Sequence, residues 1–320
     1  MRIKILVTGG AGFIPSCLVD RLLLNPNYYV VAVDNFLTGH RDKISKSEFD
    51  NFEFIEADCN EQSEMEAIFE KHQFDYVFHY AALVGVKRTT DYPLQVLKDI
   101  DGLKNIFELS AESKVKRIFF SSSSEVYGEP VEMPQREHTT PLNSKLPYAI
   151  VKNLGEAFCR SYLHESGLKY TIFRFFNTYG PKQSPDFVMS KFIQAALKGE
   201  DITIYGDGSQ SRTFCYFEDN IEACIAAFEN EQHVNDVVNI GNDHETSILE
   251  LAKTIIAKTN SSSKIIHLPP LKEGDMTKRQ PDTTNVRKLL KREFTPLETG
   301  IENVLKSEVF KTLNFKEVKA

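Results

Sequence analysis

The sequence predicts an α/β protein: a doubly wound parallel sheet with a smaller C-terminal α/β lobe. Three observations carry this. Apolar runs of strand length alternate with amphipathic helical stretches over the first half of the chain, as parallel strands joined by crossover helices require. A glycine cluster, Gly9, Gly10 and Gly12, separates the first strand from the first helix. After Pro181 the alternation changes, and shorter elements follow.

Residues 3–8, Ile-Lys-Ile-Leu-Val-Thr, read as a buried parallel strand. An apolar helix follows the glycines through Leu18, Val19, Leu22 and Leu23. A strand, a glycine turn and a helix in this order bring backbone N–H groups and a helix N-terminus to a pyrophosphate. The next strand, from Tyr29, ends at Asp34. A carboxylate there suits the hydroxyls of an adenosine ribose and repels a 2′-phosphate, which favours NAD over NADP. Pro15 stands where such a turn usually has its third glycine. Proline lacks an N–H that the first helical turn does not need, although its ring is bulkier where helix and strand pack. NAD binding is expected to be kept.

Further strands are expected at 52–57, 75–79, 117–122 and 171–176, with helices at 62–72, 93–112 and 148–166, the last closed by Gly167. Leu94, Leu97, Ile100, Leu103 and Phe107 form an apolar stripe at helical spacing, read as core or as a dimer face. Beyond Pro181 a helix at 186–199, a strand Ile202–Tyr205 and a loop Gly206–Ser211 build much of the smaller lobe. Residues 261–283, rich in Ser and Pro, read as a long ligand-covering loop. The expected domains are 1–176, a Rossmann-type dinucleotide-binding domain to which part of 213–245 returns, and 177–212 with 246–320, the substrate lobe.

Bulk properties fit a single soluble enzyme. At 320 residues and 41% apolar content the chain can bury a large core. A net charge of −7 gives no footprint for nucleic acid. The five cysteines, 17, 59, 159, 215 and 224, lack Cys-x-x-Cys spacing and read as reduced core thiols; no metal site is expected. No apolar run approaches the ~18 residues of a membrane span, and the N-terminus reads as a core strand rather than a signal peptide, so the cytoplasm is expected.

The chemistry centres on Tyr148 and Lys152, in Leu-Pro-Tyr-Ala-Ile-Val-Lys, twenty-five residues after Ser123. Positions i and i+4 of a helix share a face. A free tyrosine, with a pKa of about 10, is a poor base at neutral pH. A lysine cation about 4 Å away, at an effective dielectric near 20, stabilises a phenolate by about 4 kcal/mol. Such a pair can take a proton from a sugar hydroxyl and later return it.

Thr8-Gly-Gly-Ala-Gly-Phe-Ile, Asp34-Asn35, Asp58, His79-Tyr-Ala-Ala, Ser123 and Tyr148-x-x-x-Lys152 together resemble the extended short-chain dehydrogenase/reductase family, in its sugar-nucleotide epimerase, dehydratase and decarboxylase branch. The likeness continues through Arg174-Phe-Phe-Asn-Thr-Tyr-Gly-Pro, Tyr205-Gly-Asp-Gly-Ser-Gln-Ser-Arg and Arg279-Gln-Pro-Asp282, and so covers nearly the whole chain in order.

The resemblance implies that Gly9, Gly12, Phe13 and Ile14 line the pyrophosphate of NAD, Asp34 and Asn35 the adenosine ribose, and Asp58 and Cys59 the adenine. Ala81 and Ala82 would end the strand beneath the cofactor, and Lys152 would hold the nicotinamide ribose while tuning Tyr148. Ser123 would hydrogen-bond the sugar O4. On the substrate side it implies Asn177 at the diphosphate, Tyr205 near the base, Arg212 and Arg279 as phosphate contacts, and Asp282 at a ribose hydroxyl. Asp99 departs from the pattern: relatives usually place an asparagine there, and a carboxylate cannot donate as the amide does. Members of the family commonly form homodimers.

Every branch of the family starts by oxidising the sugar at C4, which gives a 4-keto intermediate and recycles NAD. The middle step differs. Glu125, third in Ser123-Ser124-Glu125, matches the acidic third place of dehydratases and decarboxylases. Ser124 argues against the deoxythymidine-linked dehydratases, which carry an Asp-Glu pair. His79-Tyr-Ala-Ala-Leu-Val-Gly-Val-Lys-Arg looks more like an epimerase loop. The expected activity is therefore on a nucleotide-diphosphate sugar, with UDP favoured. UDP-glucuronate decarboxylation and UDP-hexose 4-epimerisation stand nearly level, ahead of 4,6-dehydration. An NADP(H) sugar-nucleotide reductase and a non-catalytic NAD-binding protein are the more distant alternatives.

Overall fold

A computed structural model of the chain describes residues 2–46, 50–269 and 278–315. Six strands come first: β1 (Ile3–Thr8), β2 (Tyr28–Asp34), β3 (Phe52–Glu56), β4 (Tyr76–His79), β5 (Arg117–Ser123) and β6 (Lys169–Phe175). Between them run α1 (Phe13–Leu22), α2 (Gln62–His72), α3 (Val86–Asp91), α4 (Pro93–Leu97), α5 (Asp99–Glu112) and α6 (Pro147–Ser166). Next are the short β7 (Thr178–Tyr179), α7 (Val188–Lys198), β8 (Ile202–Tyr205), β9 (Ser211–Thr213), β10 (Cys215–Tyr216), α8 (Phe217–Glu229), β11 (Asp236–Ile240), β12 (Glu245–Ser247), α9 (Ile248–Thr259) and β13 (Ile265–Leu268).

One seven-stranded sheet has the order β11-β6-β5-β4-β1-β2-β3, and every pairing from β6 to β3 is parallel. Its middle strands are apolar on both faces, with Ile5, Leu6, Val7, Val30, Val31 and Val33 fully buried, because helices cover both sides. The winding reverses at β1, which has β4 on one side and β2 on the other. In such a sheet a ligand lies outside the carboxyl ends of the strands at the reversal, here just beyond Thr8 and His79.

The chain divides into two compact units, Met1–Gly128 with Leu142–Phe175 and Ile221–Val238, and Glu129–Pro141 with Phe176–Asn220 and Asn239–Ala320. The first holds the sheet and a core that includes Leu6, Val31, Phe107, Ile118 and Ile172. The second packs Phe192, Ile193, Ile202, Ile204, Leu251, Ile255, Ile301 and Val304 around small two-stranded pairings, β7 with β10, β9 with β12 and β8 with β13. Its α9 starts with a reciprocal cap between Ser247 and Glu250. Residues 129–141 count with the second unit: Gln135 bridges Pro281, and Glu137 accepts the Asn239 N–H. The expected domain limit at 176 did not anticipate that excursion.

Two expectations need correction. The helix expected over 93–112 breaks at Lys98, where the bonds Lys98 N to Gln95 O and Asp101 N to Lys98 O span only three residues. The apolar stripe breaks with it: Leu103 and Phe107 are core, whereas Leu94 is 77% exposed. The segment 261–283 is not all loop, because Ile265–Leu268 forms β13 parallel to β8; residues 270–277 of that expected loop lie outside the described residues. All five cysteines are buried and none is in a disulfide. Among the described residues no helix is long and apolar enough to cross a membrane.

Candidate active site

The glycine loop is tied down on both sides. Gly9 has φ +75°, and a Cβ there would lie 3.0 Å from the Ala81 backbone, so only glycine combines this conformation with this close approach. Gly12 N donates to Gly9 O at 2.7 Å, and Gly12 is the N-cap of α1 without a side-chain cap. The loop thus delivers the start of α1 with its first-turn N–H groups outside the helical ladder. Pro15 is buried in that first turn, where a missing N–H breaks no helical bond.

Thr8 fastens β1 to the end of β4. Its hydroxyl accepts from Tyr80 N and Ala81 N, both at 3.0 Å, and lies 2.9 Å from His79 Nδ1. Burial, with the Lys152 charge nearby, lowers the His79 pKa to about 3 and keeps the ring neutral. Ala82 continues from Ala81, and both are half-buried.

Asp34 ends β2 and accepts from Ala11 N at 2.9 Å and Phe36 N at 2.8 Å, which joins it directly to the glycine loop. Burial raises its pKa, against the pull of those N–H groups and Lys43. Asn35 donates to Asp58 at 2.9 Å, and the Cys59 carbonyl accepts from Asn105. Burial first, then the Asp58 and Asp34 carboxylates, push the Cys59 thiol up and keep it protonated. Asp34, Asn35 and Asp58 are thus linked by contacts at the carboxyl ends of β2 and β3.

Ser123 is the last residue of β5, and its Oγ accepts from Glu125 N at 3.2 Å, capping the single turn Ser124–Tyr127. Glu125 stands in the first turn of that short helix. Tyr148 is the second residue of α6, which starts on Pro147, where proline's fixed φ suits the first helical position. Lys152, 4% exposed, donates to Ser121 O at 2.7 Å and Ser121 Oγ at 3.3 Å. Its Nζ lies 5.8 Å from the Tyr148 ring centroid and 5.2 Å from that of Phe120. Burial lowers the Lys152 pKa to about 8, while Asp99 works to raise it. Asp99 accepts from Leu83 N at 2.7 Å, so the carboxylate braces the backbone after β4 as an acceptor.

The five residues expected on the substrate side all belong to the second unit. Asn177 has φ +34°, and its buried Nδ2 has no hydrogen-bond partner among the described residues. A strained backbone and an idle donor together suit a ligand contact. Arg212, on β9, is buried and donates to Ser211 O, while Tyr205 ends β8 and is 45% exposed. Arg279 is buried. Asp282 is held by its N–H to Gln135 O at 2.8 Å and accepts from Thr284 N, and the Thr284 contacts and then Arg136 lower its pKa. Sequence reasoning gave no role to Thr8 or His79; a hydroxyl ending one strand with an imidazole ending its neighbour was the available signal.

A model of the NAD dependent epimerase/dehydratase family matches residues 5–241. The chain is 37% identical over 302 residues to a UDP-N-acetyl-alpha-D-glucosaminuronate decarboxylase of Bacillus cytotoxicus, covering 90% of this chain and 92% of that protein. A UDP-glucose 4-epimerase of Thermotoga maritima, solved with UDP-glucose, superimposes with a TM-score of 0.89 at 35% identity, covering 97% of this chain and 99% of that one. A UDP-glucuronic acid 4-epimerase of Bacillus cereus, solved with UDP-glucuronic acid and NAD, gives 0.87 at 30% identity, covering 97% and 100%.

Proposed function

The chain belongs to the NAD dependent epimerase/dehydratase family and is an NAD-dependent enzyme, and from that footing we propose that it decarboxylates a UDP-linked hexuronate through a transient 4-keto sugar. The observation that carries this reading is Glu125, an acid in the turn that Ser123 itself caps. The Bacillus cytotoxicus relative, a decarboxylase, supports it. UDP-hexose 4-epimerisation is the second reading, favoured by the fit to the Thermotoga maritima epimerase.

The loop residues fit NAD. The glycine turn and the bare start of α1 suit a pyrophosphate, with Gly9, Gly12, Phe13 and Ile14 beside it. Each Asp34 oxygen accepts one backbone N–H and keeps a lone pair for a ribose hydroxyl, with Asn35 beside it. Asp58 and Cys59 would border the adenine, and Ala81 and Ala82 would lie beneath the cofactor. Bound NAD supplies a reversible hydride acceptor for the sugar C4.

Tyr148 takes the O4 proton as C4 is oxidised, Lys152 stabilises the phenolate, and Ser123 hydrogen-bonds O4. In the 4-keto sugar the C5–carboxylate bond breaks, carbon dioxide leaves, and the electron pair moves into the C4 carbonyl. Glu125 then gives a proton to C5 and regains one from solvent, and Tyr148 returns the O4 proton when C4 is reduced. The second unit holds the UDP: Asn177, Arg212 and Arg279 at the diphosphate, Tyr205 at the base and Asp282 at the ribose. Leu94, Leu97 and Ile150 are exposed apolar side chains, which suits a homodimer of a cytoplasmic enzyme that supplies sugars for polysaccharide synthesis.

The test is NMR of the protein with UDP-glucuronate, UDP-N-acetylglucosaminuronate, UDP-glucose and UDP-N-acetylglucosamine in turn. A pentose product supports decarboxylation. A galacto product establishes the second reading instead, and no conversion of any of them sinks both. NAD released on denaturation separates both from a reductase that turns over added NADPH. In Glu125→Gln, decarboxylation is expected to fall about 10²–10⁴-fold while NAD content holds; undiminished turnover would rule out the protonation step.

Asp99 sets a pH limit. Its negative charge raises the pKa of Lys152, which burial has lowered to about 8. Asp99→Asn removes that charge, so Lys152 loses its proton at lower pH, and the alkaline limb of the kcat–pH profile moves to lower pH. An alkaline limb at the wild-type position would show that Asp99 does not act on Lys152.

A further inference from the structure

Behind the site lies a buried polar cluster to which the reaction assigns no part. Arg174, on β6 and 2% exposed, meets Glu156 of α6, fully buried, through two parallel bonds: Nε to Oε1 at 2.8 Å and Nη2 to Oε2 at 2.7 Å. Its remaining terminal nitrogen donates to the Tyr127 hydroxyl at 2.8 Å. Ser122 Oγ donates to Glu156 Oε1 at 2.7 Å. Burial opposes the guanidinium charge, but the Glu156 contacts overcome it and hold the pKa of Arg174 above its ordinary value, so the guanidinium stays charged.

The placement of these four residues is the point. Glu156 stands one helical turn beyond Lys152 and two beyond Tyr148 on α6. Ser122 precedes Ser123, and Tyr127 closes the turn that Ser123 caps and that carries Glu125. The pieces bearing Tyr148/Lys152 and Ser123/Glu125 are therefore cross-linked through one guanidinium. A bidentate Arg–carboxylate fork fixes distance and angle together, which a single hydrogen bond does not. The approach is close as well, since a Cβ on Gly155 would collide with the Phe120 ring of β5.

We propose that the Glu156–Arg174 pair, with Tyr127 and Ser122, is a positioning device that sets the spacing between the Tyr148/Lys152 pair and the Ser123/Glu125 turn. Its catalytic consequence rests on the function proposed above; the mechanical link does not. None of the four touches the reacting atoms. They act through the residues they hold, and a misplacement of about 1 Å at such a site lowers turnover roughly 10²-fold.

Tyr127→Phe is the discriminating variant, because it keeps the ring and removes only the hydroxyl that Arg174 grips. Two measurements are made on the full chain. Amide exchange is expected to quicken in residues 122–128 and to stay unchanged in 9–20, where the glycine loop reports on the rest of the fold. In turnover, kcat is expected to fall about tenfold to a hundredfold, with KM and NAD content held. Ser122→Ala is expected to give a smaller change of the same kind, because Arg174 still holds Glu156. Unchanged exchange at 122–128 overturns the device outright. Faster exchange with wild-type kcat overturns its role in positioning. If the wild-type protein converts none of the sugars, the functional reading fails, while the exchange result still decides whether the cluster holds the turn.

Discussion

Tyr148→Phe is expected to lower kcat by about 10²–10⁴-fold while leaving the affinity for the sugar nucleotide and the NAD content close to wild type. The variant loses one oxygen. The ring can keep its place near Lys152, whose Nζ lies 5.8 Å from the centroid, and the bonds from Lys152 to Ser121 do not involve the phenol. What disappears is the group that takes the O4 proton as C4 is oxidised, an interaction made in the transition state and hardly in the ground state. Such a loss appears in kcat and kcat/KM together and spares binding. The check is a set of initial rates with the preferred UDP-sugar, beside a measurement of NAD released on denaturation. A Phe variant that keeps most of the wild-type rate would move the proton transfer to another residue, and Ser123 would be the first to replace.

Much of the first unit was legible because local chemistry dictates it. A strand that must turn at once into a helix needs glycine where Gly9 takes φ +75° against the Ala81 backbone, so the Thr8-Gly-Gly-Ala-Gly run announces the turn. A carboxylate ending the next strand can reach back to that turn, as Asp34 does through Ala11 N. Tyr148 and Lys152 share a helix, so their spacing alone places them together. What stayed hidden depends on partners distant in sequence. The apolar stripe from Leu94 to Phe107 keeps helical periodicity across Lys98, and nothing local in it reveals the three-residue bonds that break the helix there. Ile265–Leu268 is too short and too flanked by Ser and Pro to read as a strand until β8, some sixty residues away, pairs with it. Arg174 and Glu156 lie eighteen residues apart on a strand and a helix, and only the packing of α6 on β5 and β6 shows that they meet. Asparagine tolerates the positive φ that Asn177 adopts, but its idle Nδ2 has no signature in the local sequence.

Glu156→Ala is expected to destabilise the protein by about 3–5 kcal/mol, because it leaves the Arg174 guanidinium buried without its counter-charge. For a chain of this size that lowers Tm by on the order of 10 °C, measurable by calorimetry with NAD content controlled, since bound cofactor adds its own stabilisation. The magnitude reflects the orphaned charge more than the worth of the pair. Replacing both partners, as in Glu156→Leu/Arg174→Met, removes charge and counter-charge together, and apolar side chains of similar volume often match or exceed a buried ion pair in stability. The double variant is therefore expected to recover part of the lost Tm, since the buried Ser122 and Tyr127 hydroxyls lose Glu156 and Arg174 as partners. It is not expected to recover turnover, because leucine and methionine can fill the space between α6 and the Ser123 turn but cannot set its distance as the fork does. A stable but slow double variant separates what the pair does for folding from what it does for the geometry of the site. A double variant as fast as wild type would mean that simple packing positions Tyr148 and Ser123, with the ion pair serving neither purpose in particular.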